Sequence, residues 1–368
     1  TVYDSSNGKV VISYKDDANS GYGTAVVGTV SGTSISFGTP VVFNADNTTD
    51  FSLVYDSANQ KVVISYSDRG NGDYGTAIVG TVSGTSISFG SEVVFESTYT
   101  YNISSTFDST NNKVVIAYMD VGNSQRGTAI VGTVSGTSIS FGSPVVFESG
   151  STQHTSSVFD PDTGKVVIAY SDNGNSNYGT AVVGTVSGTS ISFGTPVVFN
   201  TARSDPMSLT YDPTNQKVVI AYLHGGNSQG KAIGGTVSGT SISFDTSSTF
   251  ESGEARDISA IYDPDTKKVV IAYRDGGNSN YGTAVTFNLR TFLKNLTSEN
   301  FIGISDGAYS NGQTATIQIS GSIDDAQSSL TPGQKYYVQN DGTLSETADS
   351  PSVFAGTAVA STKLIING

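Results

Sequence analysis

The sequence predicts an all-β protein: a six-bladed β-propeller of four-stranded antiparallel blades, followed by a small C-terminal β-barrel or sandwich domain. Three observations lead to this fold class. The 368 residues include 42 glycines, no cysteine and no tryptophan, and Val, Ile, Thr, Ser, Tyr and Phe are abundant, which is typical of strands and turns. One phrase recurs at a nearly constant interval. Each copy of that phrase contains four strand patterns.

The interval between copies is about 52 residues. The string KVVI starts at six lysines, spaced 52, 52, 52, 52 and 51 residues apart: Lys9, Lys61, Lys113, Lys165, Lys217 and Lys268. The string TVSGTSISF starts at five threonines: Thr29, Thr81, Thr133, Thr185 and Thr236. A fixed period in this range indicates a propeller, a solenoid or an array. With one blade per copy, we expect the propeller to occupy residues 1–294.

The fourth copy illustrates the strands of one blade. The first strand, SSVFD, ends at Asp160 and is followed by the turn PDTG, and the second strand is KVVIAY, 165–170. After the loop SDNGNSNYG come the third strand TAVVGTV, 180–186, a Ser-Gly hairpin turn, and the fourth strand TSISFGTPVVF, 189–199. Short hairpins of this kind join antiparallel neighbours. Both faces of the second strand are apolar, so we expect each blade to pack between two others.

A β-solenoid is the alternative architecture, but its coils are shorter and are not joined by two-residue hairpins. The sixth copy departs from the pattern after Val285, so its own fourth strand is missing. Either the last blade lacks this strand, or residues upstream of Thr1 supply it, or the linker after Phe292 does. The period then stops. Residues 298–368 still contain short strand patterns separated by turns such as TPGQ and NDGT, which predict a separate β domain.

Phrases in this C-terminal segment resemble a module of large proteins encoded by marine bacteriophages, of the virion and tail-fibre type. The phrases are LTSENFIGIS, LTPGQKYYVQNDGTLS and AGTAVASTKLIING, and the repeat phrase GNSNYGTAVVGTVSGTSISFG is similar to repeats of uncharacterised marine phage and bacterial proteins. The resemblance covers almost the whole chain. It implies a location, on a virion or extracellular surface, and contact with other virion or fibre subunits through the C-terminal domain. Fibre proteins often trimerise, so a homotrimer is a further expectation.

Composition and motifs narrow the function classes. The net charge of −14 argues against a nucleic-acid partner, which needs a concentrated basic surface. No stretch is long and apolar enough to span a membrane. The two histidines, His154 and His224, have no metal-ligand spacing, and no nucleophile elbow, phosphate loop or zinc motif occurs. We therefore predict no catalytic residue, no metal and no cofactor.

The loop after the second strand carries one acid in most copies, as in SDNGNSNYG. Aspartate and asparagine there favour a turn in which their side chains bond the backbone. A calcium site is the alternative reading, although one carboxylate per loop is few for this ion.

The segments that join one repeat to the next differ in every copy, and we interpret them as loops displayed on one face of the propeller. They read NADNTTD, ESTYTYN, ESGSTQHT, NTARSDP and ESGEARD. Function concentrates in loops held by a rigid scaffold, although unconstrained sequence drift would look the same. Aromatic, basic and acidic side chains suit a glycan, so the candidate ligand-binding residues are Tyr99, Tyr101, His154, Arg203, Asp205, Arg256 and Asp257.

The function expected from these observations is a non-catalytic surface appendage, an adhesin whose propeller binds a host glycan or receptor. The first alternative is a purely structural spacer or decoration of a fibre or virion. The second is a glycoside hydrolase that degrades polysaccharide, which is weakened because the arginines are scattered over unlike loops.

Overall fold

The computed structural model describes residues 1–289, 303–307, 314, 316–339, 343–348 and 353–366. The chain divides into two compact units, Thr1–Leu289 and Arg290–Gly368. No helix among the described residues is long and apolar enough to cross a membrane. The first unit is a β-propeller array of six blades, as the sequence predicts.

The second and third strands of each blade form a regular hairpin because the KVVI phrase and the following GTA phrase alternate apolar side chains to both faces. The second strands are β2 Lys9–Asp16, β6 Lys61–Asp68, β10 Lys113–Asp120, β14 Lys165–Asp172, β18 Lys217–His224 and β22 Lys268–Asp275. The third strands are β3 Tyr22–Ser31, β7 Tyr74–Ser83, β11 Arg126–Ser135, β15 Tyr178–Ser187, β19 Gln229–Ser238 and β23 Tyr281–Phe287. Single 3₁₀ turns join some of them: Asp17–Asn19, Arg69–Asn71, Val121–Asn123 and Asn173–Asn175.

The outer edge of a blade consists of a short strand and the first half of a long strand. The short strands are β4 Ser34–Phe37, β8 Ser86–Phe89, β12 Ser138–Phe141, β16 Ser190–Phe193 and β20 Ser241–Phe244. The long strands, called crossing strands here, are β5 Val41–Asp56, β9 Val93–Asp108, β13 Val145–Asp160, β17 Val197–Asp212 and β21 Ser248–Asp263. Blade one begins with the short strand β1 Val2–Asp4.

Each crossing strand belongs to two blades. In β13, residues from Val145 to Ser151 pair with β11 of blade three, whereas residues from Thr152 onward pair with β14 of blade four. The expectation of loops between repeats is therefore wrong. The fourth strand predicted over 189–199 is divided at the Gly-Thr-Pro segment, 194–196, where Gly194 and Pro196 indicate a bulge or bend in the sequence. The polar residues remain in a strand because both of its halves find ladder partners.

Five apolar cores hold the six blades together, one between each pair of neighbours. The core between blades three and four contains Val115, Ala117, Ala129 and Val131 of blade three and Val166, Ile168, Tyr170, Val182, Val186 and Ile191 of blade four. Among the described residues no core of this kind joins blades six and one, so the ring is not closed. Blade six has no fourth strand after β23 within residues 1–289. The linker after Phe292, which could supply one, lies outside the described residues.

The second unit contains short antiparallel strands. They are β24 Ile304–Ser305, β25 Ile317–Gln318, β26 Ile323–Asp324, β27 Lys335–Val338, β28 Leu344–Ser345, β29 Val353–Ala360 and β30 Lys363–Ile366. A sheet in the order β26-β30-β29-β27-β28 encloses a small core with Leu330, Tyr336 and Leu364. Whether this unit is a barrel or a sandwich stays a prediction, and parts of the segment 298–368 lie outside the described residues.

Candidate functional site

A β-bulge interrupts each crossing strand where it becomes the innermost strand of the next blade. Four bulges hold a non-glycine residue with a positive φ of 50–53°: Asp50, Asn102, His154 and Asp257. Such a backbone is uncommon for residues other than glycine, and bulges re-aim side chains near functional sites. Pro206 occupies the equivalent position of blade five. The bulge therefore presents a different side chain in each blade, except that blades two and six both carry aspartate.

The bulges of blades two to five line one pocket with a volume of about 250 Å³. Each blade contributes two consecutive residues to it: Asp50 and Phe51, Asn102 and Ile103, His154 and Thr155, and Pro206 and Met207. The second residue of each pair is apolar in three of the four blades. The pocket thus sets carboxylate, amide and imidazole groups beside apolar side chains, a mixture that small-ligand sites use. Its volume lies slightly below the range of about 300–1,000 Å³ that is usual for drug-sized ligands.

Asp50 is the carboxylate of this pocket. Burial raises its pKa above the ordinary value of 3.8, while the hydrogen bond from the Asn102 amide and the charges of Arg69 and His154 act in the opposite direction. The amide nitrogen of Asn102 donates to Asp50 Oδ2 at 3.3 Å, from one blade to the next. A half-buried carboxylate with free lone pairs is a strong acceptor for hydroxyl groups.

A second cluster joins blades four and five beside the pocket. The Nε of Arg203 donates to both oxygens of Asp205 at 2.7 and 2.8 Å. The Nε2 of His154 lies 4.0 Å from Asp205 Oδ2. Asp205 is buried, whereas His154 and Arg203 are exposed. The ion pair thus holds the guanidinium beside the pocket rim, where its remaining donors face solvent.

An aromatic cluster lies at the corresponding place of blade three. The rings of Tyr99 and Tyr101 meet edge to face with centroids 4.7 Å apart. Burial and the hydrogen bond to Tyr101 raise the pKa of Tyr99 to about 12. Arg69 of blade two is hydrogen-bonded to Tyr101, which raises the pKa of its guanidinium. Tyr99 therefore stays neutral over the physiological range. Both tyrosines offer hydroxyls and ring faces to a ligand.

In blade six the predicted residues are engaged in local ion pairs. Arg256 Nε donates to Glu254 Oε1 at 2.7 Å, and Arg274 Nε donates to Asp257 Oδ2 at 2.8 Å. Neither Arg256 nor Asp257 lines the pocket.

Of the seven residues predicted from the sequence, only His154 lines the pocket. The structure places Arg203 and Asp205 beside His154, the two tyrosines in a separate cluster, and the two blade-six residues in local pairs. Sequence reasoning missed Asp50 and Asn102, although both stand two residues before a serine that all five crossing strands share. Comparing that one column across the repeats finds them.

Buried tyrosines anchor the start of most crossing strands beneath these clusters. The hydroxyls of Tyr118, Tyr170 and Tyr273 donate to Glu96, Glu148 and Glu251 at 3.1, 3.0 and 2.8 Å. Burial comes first among the causes that raise the pKa of each tyrosine, and the neighbouring carboxylate adds to it. The tyrosines are therefore fixed donors, and the polar residues that follow the glutamates are held in place.

The aspartates that end the second strands accept hydrogen bonds from the backbone of the turns that follow. The Oδ1 atoms of Asp120, Asp172 and Asp275 each accept a backbone N–H three residues later at 3.1 Å. This geometry supports the turn interpretation over a calcium site. In the part of the chain that the structure describes, no three histidine, cysteine or acidic side chains come together as a metal site.

No protein-family model and no curated protein matches this sequence. Several solved structures match the fold of this chain. AofleA from Arthrobotrys oligospora aligns at 11% identity and a TM-score of 0.49, covering 76% of this chain and 83% of that chain. A variant of AofleA with three arginines replaced by alanine has the same identity and coverage and a TM-score of 0.50.

The BP39L lectin from Burkholderia pseudomallei aligns at 8% identity and a TM-score of 0.52, covering 76% of this chain and 81% of that chain. At such low identity the likeness concerns the fold alone. It agrees with the blade architecture described above.

Proposed function

We propose that this protein is a non-catalytic glycan-binding propeller and that the ligand occupies the pocket lined by the bulges of blades two to five. The observation that carries the proposal is the set of unlike polar side chains on one repeated backbone: a carboxylate at Asp50, an amide at Asn102 and an imidazole at His154. These groups both donate to and accept from hydroxyls. The fold shared with a structure named as a lectin supports this choice of ligand class.

A glycan array with the whole chain, followed by calorimetry on the hits, tests the proposal. The pocket variant is Asn102→Gly/His154→Gly, because glycine adopts the positive φ of both positions without strain. We expect at least a tenfold loss of affinity. The matched control is Asn112→Gly, which also has a positive φ of 54° but lies in the hairpin at the far end of the sheet. Blade four already carries Gly164 there.

An array without hits, or equal affinity of the pocket and control variants, contradicts the proposal. If no glycan on the array binds, the function as a structural spacer is favoured. Turnover of a polysaccharide by the parent chain, lost on replacing Asp50, favours the hydrolase instead.

The setting we propose is a virion or another extracellular surface, with the C-terminal unit as the attachment to other subunits. The phage-type phrases of that unit support it. Detection of the protein in purified virions tests the setting independently of ligand binding. Genes for tail and baseplate proteins beside the coding sequence are expected as well.

A further inference from the structure

Each of the five cores between blades has two unlike halves. The face of a blade that packs on the next blade along the chain is called its leading face here, and the opposite face is its trailing face. The leading face supplies small side chains, as Val54, Val63, Ala77 and Val79 do in blade two. The trailing face of the next blade supplies larger side chains, as Val134 and Ile139 do in blade three together with Phe141. Every internal interface therefore joins a leading face to a trailing face, and the two end blades each retain one unused face.

The trailing face of blade one is exposed although its side chains match those of the buried copies. Val30 is 57% exposed, whereas its equivalents Val82, Val134, Val186 and Val237 are 6–8% exposed. Ile35 is 43% exposed, but its equivalents Ile87, Ile139, Ile191 and Ile242 are each 3% exposed. Phe37 and Tyr3 are exposed on the same face.

The leading face of blade six is exposed in the same way. Ile261 is 67% exposed, and its equivalent in blade two, Val54, is 8% exposed. Ala272 and Ala284 are exposed, whereas the equivalent Ala117 and Ala129 of blade three are fully buried. None of these side chains is charged. Repeat proteins usually cover their ends with polar capping repeats, and this array presents apolar ends instead.

A serine hydroxyl accepts a hydrogen bond across the internal interfaces, and blade six carries the same acceptor at the end of the array. In the first four crossing strands the shared serine accepts a backbone N–H of the next blade, as Ser104 does from Ser157 at 2.9 Å and Ser208 does from Ala260 at 3.0 Å. Ser259 is the equivalent serine of blade six. Among the described residues no backbone N–H of a following blade reaches it.

We propose that a second copy of this chain docks here: the leading face of blade six in one copy packs on the trailing face of blade one in the other. We choose a second copy as the partner because the five internal interfaces already pack a leading face on a trailing face. Both faces are exposed in a single chain, so they do not cover each other. An interface of this head-to-tail kind is heterologous, and it builds closed rings or filaments.

Complementation between two variants tests the proposal, with mass measured by light scattering after size exclusion. The parent chain is expected to show species larger than one chain, increasing with concentration. Phe37→Glu blocks the trailing face and Ile261→Glu blocks the leading face, so each variant alone is expected to be monomeric. An equimolar mixture still contains one intact face of each kind, and we expect it to form dimers and nothing larger.

The control variant is Val94→Glu, which replaces an exposed valine that lies on neither face. It is expected to assemble as the parent does. Circular dichroism of all variants verifies that they fold. A parent chain that stays monomeric at every concentration, or a mixture that shows no dimer, overturns the proposal.

Engineered cysteines distinguish a second copy from closure of the ring on itself, since the chain has no cysteine of its own. The Oγ atoms of Ser104 and Ser157 lie 3.0 Å apart across an internal interface, so Ser104→Cys/Ser157→Cys is the positive control for an intrachain bond. Ser259 and Thr1 are the equivalent positions at the two ends. A mixture of Ser259→Cys chains and Thr1→Cys chains is expected to form a disulfide-linked dimer on oxidation. An intrachain bond in a monomeric Ser259→Cys/Thr1→Cys chain overturns the proposal.

Discussion

At the scale of single residues, the site depends on a constant serine and a variable residue two positions before it. The serine bonds the next blade in every internal copy, which fixes the bulge. The variable residue sits in that bulge with a positive φ in four of the five copies. One backbone thus carries acid, amide or imidazole without rearrangement, as expected of a scaffold that displays unlike side chains.

Replacing Asp50 tests the electrostatics of the pocket. Its pKa is raised in the folded protein, so the folded state binds the proton more tightly than the unfolded state, and ionisation of Asp50 opposes folding. This penalty is absent below the ordinary pKa of 3.8 and is fully present above the raised value. We therefore expect Asp50→Asn to be more stable than the parent at neutral pH and to converge with it in acid. Urea unfolding at several pH values measures this, and parallel pH profiles would contradict it.

Removing one tyrosine hydroxyl tests the anchors under the crossing strands. Tyr170→Phe deletes the donor to Glu148 Oε2, while Oε1 keeps the backbone N–H of Gly150. Loss of the hydrogen bond to this charged group costs about 1–3 kcal/mol of unfolding free energy. Tyr222→Phe is the matched control, because the hydroxyl of this equally buried tyrosine bonds Ser247 rather than a carboxylate. We expect a smaller loss for the control in urea unfolding. Equal losses of unfolding free energy in the two variants would show that the hydrogen bond to the carboxylate contributes no extra stability.

At the scale of elements, the crossing strands are the main departure from the sequence-based expectation. Their variable polar segments resemble loops because they lack alternation and differ between copies. They form strands because the first half pairs with the third strand of one blade and the second half with the second strand of the next. Such pairing joins segments from two repeats, so no single repeat reveals it.

A glycine of the third strand shows how tightly a crossing strand packs. A Cβ added at Gly179 would lie 2.5 Å from the ring of Phe199 and 2.6 Å from Ser204 Oγ. Gly179→Ala is therefore expected to destabilise the protein by about 1–3 kcal/mol through overpacking. The control is Gly282→Ala, at the equivalent position of blade six, where no atom of the described residues lies within 4 Å and no crossing strand follows within residues 1–289. Thermal unfolding compares the two, and equal effects would contradict this account.

At the scale of the whole molecule, the described residues of the first unit form an open array in which an apolar core joins each blade to the next. Blades two to five have such a core on both faces, and within residues 1–289 blades one and six have one each. Stability in such arrays is the sum of blade terms and nearest-neighbour terms. Each end blade is therefore stabilised by one interface with a neighbour, whereas each inner blade is stabilised by two.

Hydrogen exchange measures this difference. We expect amides of β2 and β22 to exchange faster than those of β14, although the three strands have nearly the same sequence. Local opening depends on the number of packed neighbours. A concentration high enough for head-to-tail assembly is expected to reduce the difference. Uniform protection across the three strands in dilute protein would mean that the ring closes in solution.

The sequence by itself determined the number of blades and the hairpins. Both depend on contacts within one repeat, where side-chain alternation and turn residues act locally. It also pointed to the variable segments, of which His154 is the one residue that lines the pocket. Only the tertiary structure decided that these segments are strands, that Asp50 and Asn102 meet His154, and that the end faces stay exposed. Those features depend on how residues about 52 positions apart approach each other, which is set by the rotation between blades and not by the content of any one repeat.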